Sequence, residues 1–152
     1  MKVGVLMGSQ SDEAKMSKAR ETLEEFGIEC DWRVLSAHRN PHQVVDLVSA
    51  ARENGYVAFI AGAGMAAALP GVVAAHTTLP VVGVPLSGSA LQGVDALYSI
   101  VQMPKGVPVA TVAVDGAQNA ALLVVQMLAI ADSDLAQKLE DHRDVIAGEA
   151  GR

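Results

Sequence analysis

Val3-Gly4-Val5-Leu6-Met7-Gly8-Ser9-Gln10-Ser11-Asp12 runs from uninterrupted apolar residues into a cluster of small polar ones. The apolar half, Val3–Met7, reads as a buried strand, because it lacks the polar–apolar alternation of a half-exposed one. A helical pattern follows over Asp12–Phe26 and is closed by Gly27. A strand running into a turn of glycine and hydroxyls, then straight into a helix, is the opening half of a parallel α/β unit.

The same alternation continues along the chain. Strands are expected at Glu29–Leu35, Val57–Ala61, Val81–Val84 and Val109–Val114. Between them, Asn40–Glu53 predicts a helix with Asn40 as N-cap, Pro41 at the favoured first position and Gly55 past its end. Met65–His76 predicts another, shortened or bent by Pro70 and Gly71, and Leu91–Val101 a third. Two helices close the chain near Ala117–Ala131 and Ser133–Ala147. Strands joined through helices pair in parallel by right-handed crossovers, which gives an α/β fold, a three-layer α/β/α sandwich around a five-stranded sheet. The flavodoxin-like order 2-1-3-4-5 is expected, with the switch point between the first and third strands.

Composition narrows the function. The 152 residues fit one domain, 1–152, large enough to bury a core without disulfides. Hydrophobic residues make up 51% and aromatics 3%, so Ala, Val, Leu, Ile, Met and Gly must build the core. A net charge of −6 and a pI near 5.1 argue against non-specific nucleic-acid binding. The lone Cys30 forbids an intrachain disulfide and reads as a small buried hydrophobe. No stretch is apolar for the length of a membrane span, and Met1-Lys2-Val3 leads straight into a strand, so a cytoplasmic protein is expected. Ala117–Ala131 carries only Gln118, Asn119 and Gln126 as polar residues, and a helix apolar nearly all round needs cover on every side. A homo-oligomer is the expectation, with the final helix, about 133–147, packing on a neighbouring subunit.

Chemistry concentrates at two predicted strand ends. Gly8, Ser9, Ser11 and Asp12 crowd the first, where capping by Ser11 or Asp12 would account for only one of them. Ser9 and Asp12 are therefore read as ligand contacts. Ser36-Ala37-His38-Arg39-Asn40-Pro41 occupies the second. Arg39 suits a phosphate or carboxylate through a bidentate fork, although a surface ion pair would also account for it. His38 beside a bound anion can move a proton near neutral pH. Between the third strand and its helix, Gly62-Ala63-Gly64-Met65-Ala66-Ala67 fits the fingerprint G-x-G-x-x-A. A dinucleotide site also wants an acidic residue at the next strand's end, and Val82-Gly83-Val84-Pro85-Leu86 has none, so dinucleotide binding is rejected. Gly62 and Gly64 are read as the lining of a Gly/Ala concavity small enough to hold a compact uncharged or anionic group, with close helix–sheet packing as the competing explanation. His42, His76 and His142 fall outside this constellation, and no spacing suggests a metal site.

Met7–Asp12 (MGSQSD), Ser36–Pro41 (SAHRNP), Ala61–Gly71 (AGAGMAAALPG) and Leu97–Thr111 (LYSIVQMPKGVPVAT), with Asn119-Ala120-Ala121-Leu122 beyond, together resemble the PurE family of purine biosynthesis. The resemblance runs from residue 3 to about 145. It implies an octamer of flavodoxin-like subunits with sites shared between neighbours. The implied reaction moves a carboxylate from the exocyclic nitrogen to C4 of aminoimidazole ribonucleotide, with CO₂ as intermediate and without metal, nucleotide or biotin cofactor. Carried over motif by motif, Ser9, Asp12, Ser36 and Arg39 bind the ribonucleotide and His38 carries the proton. Arg39 matches the mutase branch of the family, whereas Ala68 stands where many members of that branch have His and matches the direct carboxylase branch. The mutase reaction is therefore the reading, and carboxylation of aminoimidazole ribonucleotide by free CO₂ the alternative. A flavodoxin- or receiver-like binding module is the non-enzymatic rival. It is disfavoured because Phe59-Ile60-Ala61-Gly62 offers no acceptor Asp and aromatics for flavin stacking are few.

Overall fold

The computed structural model describes residues 1–150. Its elements are β1 (Lys2–Met7), α1 (Glu13–Glu25), β2 (Glu29–Val34), α2 (Pro41–Ser49), β3 (Tyr56–Gly64), α3 (Leu69–Ala75), β4 (Val81–Leu86), α4 (Val94–Val101), β5 (Ala110–Thr111), α5 (Ala117–Ala129) and α6 (Ser133–Ala150). The sheet has the expected order β2-β1-β3-β4-β5, all parallel.

β1 sits between β2 and β3, and Val3, Val5, Leu6 and Met7 are wholly buried. Val3, Val5 and Met7 meet Met16, Ala19 and Leu23 of α1 and Ala120, Ala121 and Val124 of α5 on one face. Leu6, Phe59 and Ala61 meet Val44 and Val48 of α2, Val73 of α3 and Ile100 of α4 on the other. Each fully buried Leu, Val or Met contributes about 1.5–3 kcal/mol, so both layers are held by apolar burial. Because the first crossover, α1, lies on one face and the second, α2, on the opposite face, the chain leaves β1 towards β2 and returns to β3 on the far side. That reversal opens a crevice above the carboxyl ends of β1 and β3.

Local chemistry fixes the ends of the elements. α1 stops because Gly27 adopts φ 76. The Gly27 N–H donates to the Glu24 carbonyl and the Ile28 N–H to the Leu23 carbonyl, each at 2.9 Å, while the buried Leu23 and Ile28 side chains complete the stop.

Several expectations change in detail, and α3 begins at Leu69 rather than Met65 because residues 65–68 take up turn and irregular backbone. α2 ends at Ser49 rather than Glu53, since residues 50–55 unwind into turns that bring the Tyr56 N–H onto the Ala51 carbonyl at 3.0 Å and start β3. Asn40 stands at the N-cap of α2 as expected, its carbonyl accepting the Val44 N–H at 3.2 Å, but its side chain makes no capping bond because Oδ1 accepts the Ser36 N–H at 3.3 Å. β3 runs on to Gly64 and so absorbs the first glycines of the expected loop. β5 shrinks to two residues, pairing only at Val82↔Ala110 and Gly83↔Thr111. The next inward position of β4 is Pro85, which has no N–H to continue the ladder.

Helix α5 is flanked by α1 and α6 of its own chain, leaving Leu122, Leu123, Met127 and Leu128 half-buried. α6 docks through buried Leu135 and half-buried Leu139, and Lys138 Nζ donates to the Phe26 carbonyl at 3.2 Å. Cys30 is half-buried, with its thiol pushed up to about 11, chiefly by burial. No helix among the described residues is long and apolar enough to cross a membrane.

Candidate active site

The crevice at the switch point is a cleft of about 800 Å³. Gly8, Ser9 and Asp12 enter it from the end of β1, Ser36, His38 and Arg39 from the end of β2, and Ala63–Leu69 from the end of β3.

Ser9 shapes the first of these ends. In extended conformation at φ −150, its Oγ accepts the Ser11 N–H at 3.3 Å and the Ser11 hydroxyl at 2.9 Å, capping the 3-10 turn Gln10–Asp12 that leads into α1. Asp12 makes no capping bond with its side chain. Its carboxylate is therefore free to accept from a ligand. Partial burial raises the Asp12 pKa above its ordinary value, against the Ser9 backbone N–H and the charges of Lys15 and Arg39, which pull it down.

The second end is a tight turn. The buried Ser36 Oγ accepts the Arg39 N–H at 3.3 Å, and the Asn40 N–H donates to the Ser36 carbonyl at 2.8 Å. This turn places His38 and Arg39 side by side on the exposed rim. Arg39 Nη2 donates to the Gly8 carbonyl and so ties the β2 turn to the β1 turn. A guanidinium has five donors, so the rest stay available to an anion.

The third wall carries no charge. Ala63, Gly64, Met65, Ala66, Ala67 and Ala68 line it, and Met65 (φ 54) and Ala67 (φ 40) both hold left-handed backbone. Such conformations cost on the order of 1–3 kcal/mol each in a residue with a Cβ and cluster at functional sites. Here they curl the chain back, so that the Ala67 N–H meets the Gly64 carbonyl at 3.0 Å and the wall closes around small space.

Of the site residues expected from sequence, Ser9, Asp12, Ser36, His38, Arg39 and Gly64 line this one cleft. Gly62 does not. It is buried within β3, where a Cβ would fall 2.4 Å from Met16 Sδ, so its glycine makes room for the core. Sequence reasoning missed Lys15, Ser87 and Ser89, which also line the cleft, and Asp115 behind them. Lys15 lies three residues after Asp12, a spacing that shares a helix face. Ser87 directly follows β4, as Gly8 directly follows β1, and Ser36 comes one residue later after β2. No group of three His, Cys, Asp or Glu side chains among the described residues is placed to hold a metal ion.

A family model described as AIR carboxylase matches residues 2–148, nearly the whole chain. The chain belongs to this family. It is 50% identical over 143 residues to the N5-carboxyaminoimidazole ribonucleotide mutase of Pyrococcus abyssi, covering 94% of this chain and 82% of that one. It is 53% identical over 138 residues to the phosphoribosylaminoimidazole carboxylase of Saccharomyces cerevisiae, covering 91% of this chain and 24% of that much longer protein. Among solved structures, PurE of Treponema denticola superposes with a TM-score of 0.87 at 29% identity, covering 98% of this chain and 93% of that one. As a member of the AIR carboxylase family, the chain has the sheet order that its sequence implied.

Proposed function

We propose that the cleft converts N5-carboxyaminoimidazole ribonucleotide to its C4-carboxylated isomer, a step of purine biosynthesis. The observation that carries this reading is the convergence of His38, Arg39, Asp12 and Ser9 on one cleft whose remaining wall, Ala63–Ala68, is uncharged. Arg39 takes the phosphate through its free guanidinium donors, helped by the Ser9 and Ser36 hydroxyls. Asp12, whose side chain makes no capping bond, accepts the ribose hydroxyls.

The chemistry needs one proton delivered and one removed. Protonated His38 gives its proton to the exocyclic nitrogen. The carbamate C–N bond then breaks with its electrons returning to nitrogen, and CO₂ is released into the space beside the Gly64–Ala68 wall. C4 of the electron-rich ring attacks that CO₂, forming the new C–C bond. His38, now neutral, removes the C4 proton and is restored to its starting state. Positioned proton transfer of this kind contributes about 10²–10⁴ in rate. An enclosed CO₂ held against C4 adds the advantage of an intramolecular encounter.

The exposed apolar residues Val94, Tyr98 and Val101 of α4, with Leu91 in the turn before it, support a homo-oligomer, which we take to be the octamer, and Val145 and Ile146 on α6 offer a second contact to a neighbouring subunit. A cytoplasmic location fits such an enzyme. One observation favours a second reading: Ala68 gives the wall no side chain able to protonate a carbamate, as direct carboxylation by free CO₂ would allow. Purified protein should be supplied either with the carbamate or with aminoimidazole ribonucleotide and bicarbonate. Faster turnover from the carbamate is expected. Faster turnover from free CO₂ would replace the mutase reading with the carboxylase one.

A further inference from the structure

The cleft has a second cation that the reaction outlined above leaves unused. Lys15 leaves the first turn of α1 and reaches the end of β4, where its Nζ donates to the Ser87 carbonyl at 2.6 Å and to Ser87 Oγ at 2.7 Å. Asp115 Oδ1 stands 3.7 Å from the same nitrogen, and that carboxylate accepts the Ser87 N–H at 2.9 Å and the Ser87 hydroxyl. Gly88, at φ 111, lets the loop turn there, and a Cβ on it would come within 3.5 Å of the Lys15 ammonium. A long flexible side chain is thus held to one point.

It is not used up there. An ammonium has three donors. Two are engaged by Ser87, and Asp115 lies beyond hydrogen-bond distance, while a third of the Lys15 side chain stays open on the cleft. Sheet order says what it faces. Arg39 stands over β2 and β1, and Lys15 over β4, with β3 and its uncharged wall beside it. Strands lie about 4.8 Å apart, so the two cations mark opposite ends of a row of strand ends roughly 14 Å long. Gly64 pairs with Leu86, which puts the start of that wall next to Ser87.

A substrate carrying a phosphate at one end and a carboxylate near the other has two anions, and the cleft has two cations spaced along its length. We propose that Lys15, held by Ser87 and Asp115, binds the carboxylate of the substrate and makes the site prefer carboxylated over uncarboxylated ribonucleotide. This rests on the ribonucleotide reading of the cleft and adds to it a residue that sets specificity.

The test is calorimetric titration of full-length wild type, Lys15→Met, Lys15→Gln and Asp115→Asn with two ligands, the C4-carboxylated ribonucleotide and aminoimidazole ribonucleotide. Loss of a charge-assisted hydrogen bond predicts that Lys15→Met and Lys15→Gln weaken the carboxylated ligand about 10-fold or more and the uncarboxylated one less than about 2-fold. Asp115→Asn, which removes the counter-charge and leaves the ammonium, should keep the preference. Equal weakening of both ligands, or the same loss in Asp115→Asn, would reduce Lys15 to a brace for the loop and overturn the assignment alone. Lys15→Gln supplies the answer should Lys15→Met fail to fold. Wild-type protein that binds neither ligand would overturn the ribonucleotide reading and this assignment with it.

Discussion

Two hollows open at opposite ends of the same sheet, and the chemistry proposed above belongs to the smaller one. At the amino ends of β4 and β5 lies a cavity of about 1080 Å³, bordered by Arg52, His76, Thr78 and Pro108. At the carboxyl ends of β1 to β4 lies the cleft of about 800 Å³. Both hold a histidine and an arginine, so residue type alone does not separate them. Their surroundings do. The larger hollow meets the last residues of α2 and α3, Ser49 and Ala75, where helices leave carbonyls and a partial negative charge. The cleft meets the starts of α1 and α3, where N–H groups and the positive ends of the dipoles point out. Its Asp12 carboxylate has no capping bond to make, and its Arg39 is fixed by the neighbouring turn, whereas Arg52 makes an exposed bond to Thr78 Oγ1 at 3.0 Å. Volume is a poor guide; the direction of the backbone dipoles is a better one.

The sharpest way to break this contrast is at His38. His38→Asn should lower turnover by about 10²–10⁴ while ribonucleotide affinity, read by calorimetry, stays nearly unchanged. Full activity in that variant would leave the cleft without its proton carrier. Next comes Arg39→Leu. Losing a charge-assisted contact to phosphate, at about 1.5–3 kcal/mol, should weaken the substrate by roughly 10- to 100-fold, seen in KM more than in kcat.

Gly62→Ala sharpens the boundary between site and core. A methyl group 2.4 Å from Met16 Sδ overpacks the α1 layer, and a loss of about 1–3 kcal/mol in urea unfolding is expected with KM unaltered. A raised KM at unchanged stability would put Gly62 back among the ligand contacts.

Asp12 gives a pH signature. Its folded pKa is raised above the ordinary 3.8 mainly by burial, so its ionised form costs stability. That cost is absent below 3.8, where the carboxyl is protonated folded and unfolded, and is fully present once the pH exceeds the folded value. Asp12→Asn should therefore be more stable than wild type at pH 7, less so as the pH falls towards 3.8, and should bind ribonucleotide poorly at every pH. Thermal melts across that range, beside binding at pH 7, check both halves. The smallest effect belongs to the other hollow: Arg52→Ala and His76→Ala should change kcat and KM by less than about 2-fold, as substitutions away from such contacts do. A large loss there would move the site to the amino ends.

Much of this was legible in the residues. Val3–Met7 reads as a buried strand because nothing polar interrupts it, and parallel pairing follows from the regular alternation of strand and helix, while the strand order was expected only as the common flavodoxin-like arrangement. The turns after β1 and β2 show themselves through small hydroxyls, a carboxylate, an imidazole and a guanidinium placed just past apolar runs. What escaped was set by neighbours. Whether β5 continues depends on Pro85 across the ladder, which no local pattern around Val109–Val114 reveals. Gly62 and Gly64 look alike in AGAG, yet β3 runs through both, and only the packing of Met16 shows that one serves the core. Lys15 was hidden inside an ordinary amphipathic helix, since its partner Ser87 lies 72 residues away along the chain and Asp115 a further 28 beyond that.

The most direct measurement is a crystal structure of the protein with the C4-carboxylated ribonucleotide bound. The phosphate is predicted to lie against the Arg39 guanidinium, with the His38 imidazole over C4 and the ribose hydroxyls on Asp12. A ligand seated at the amino ends beside Arg52, or one whose ring lies out of reach of His38, would contradict the account.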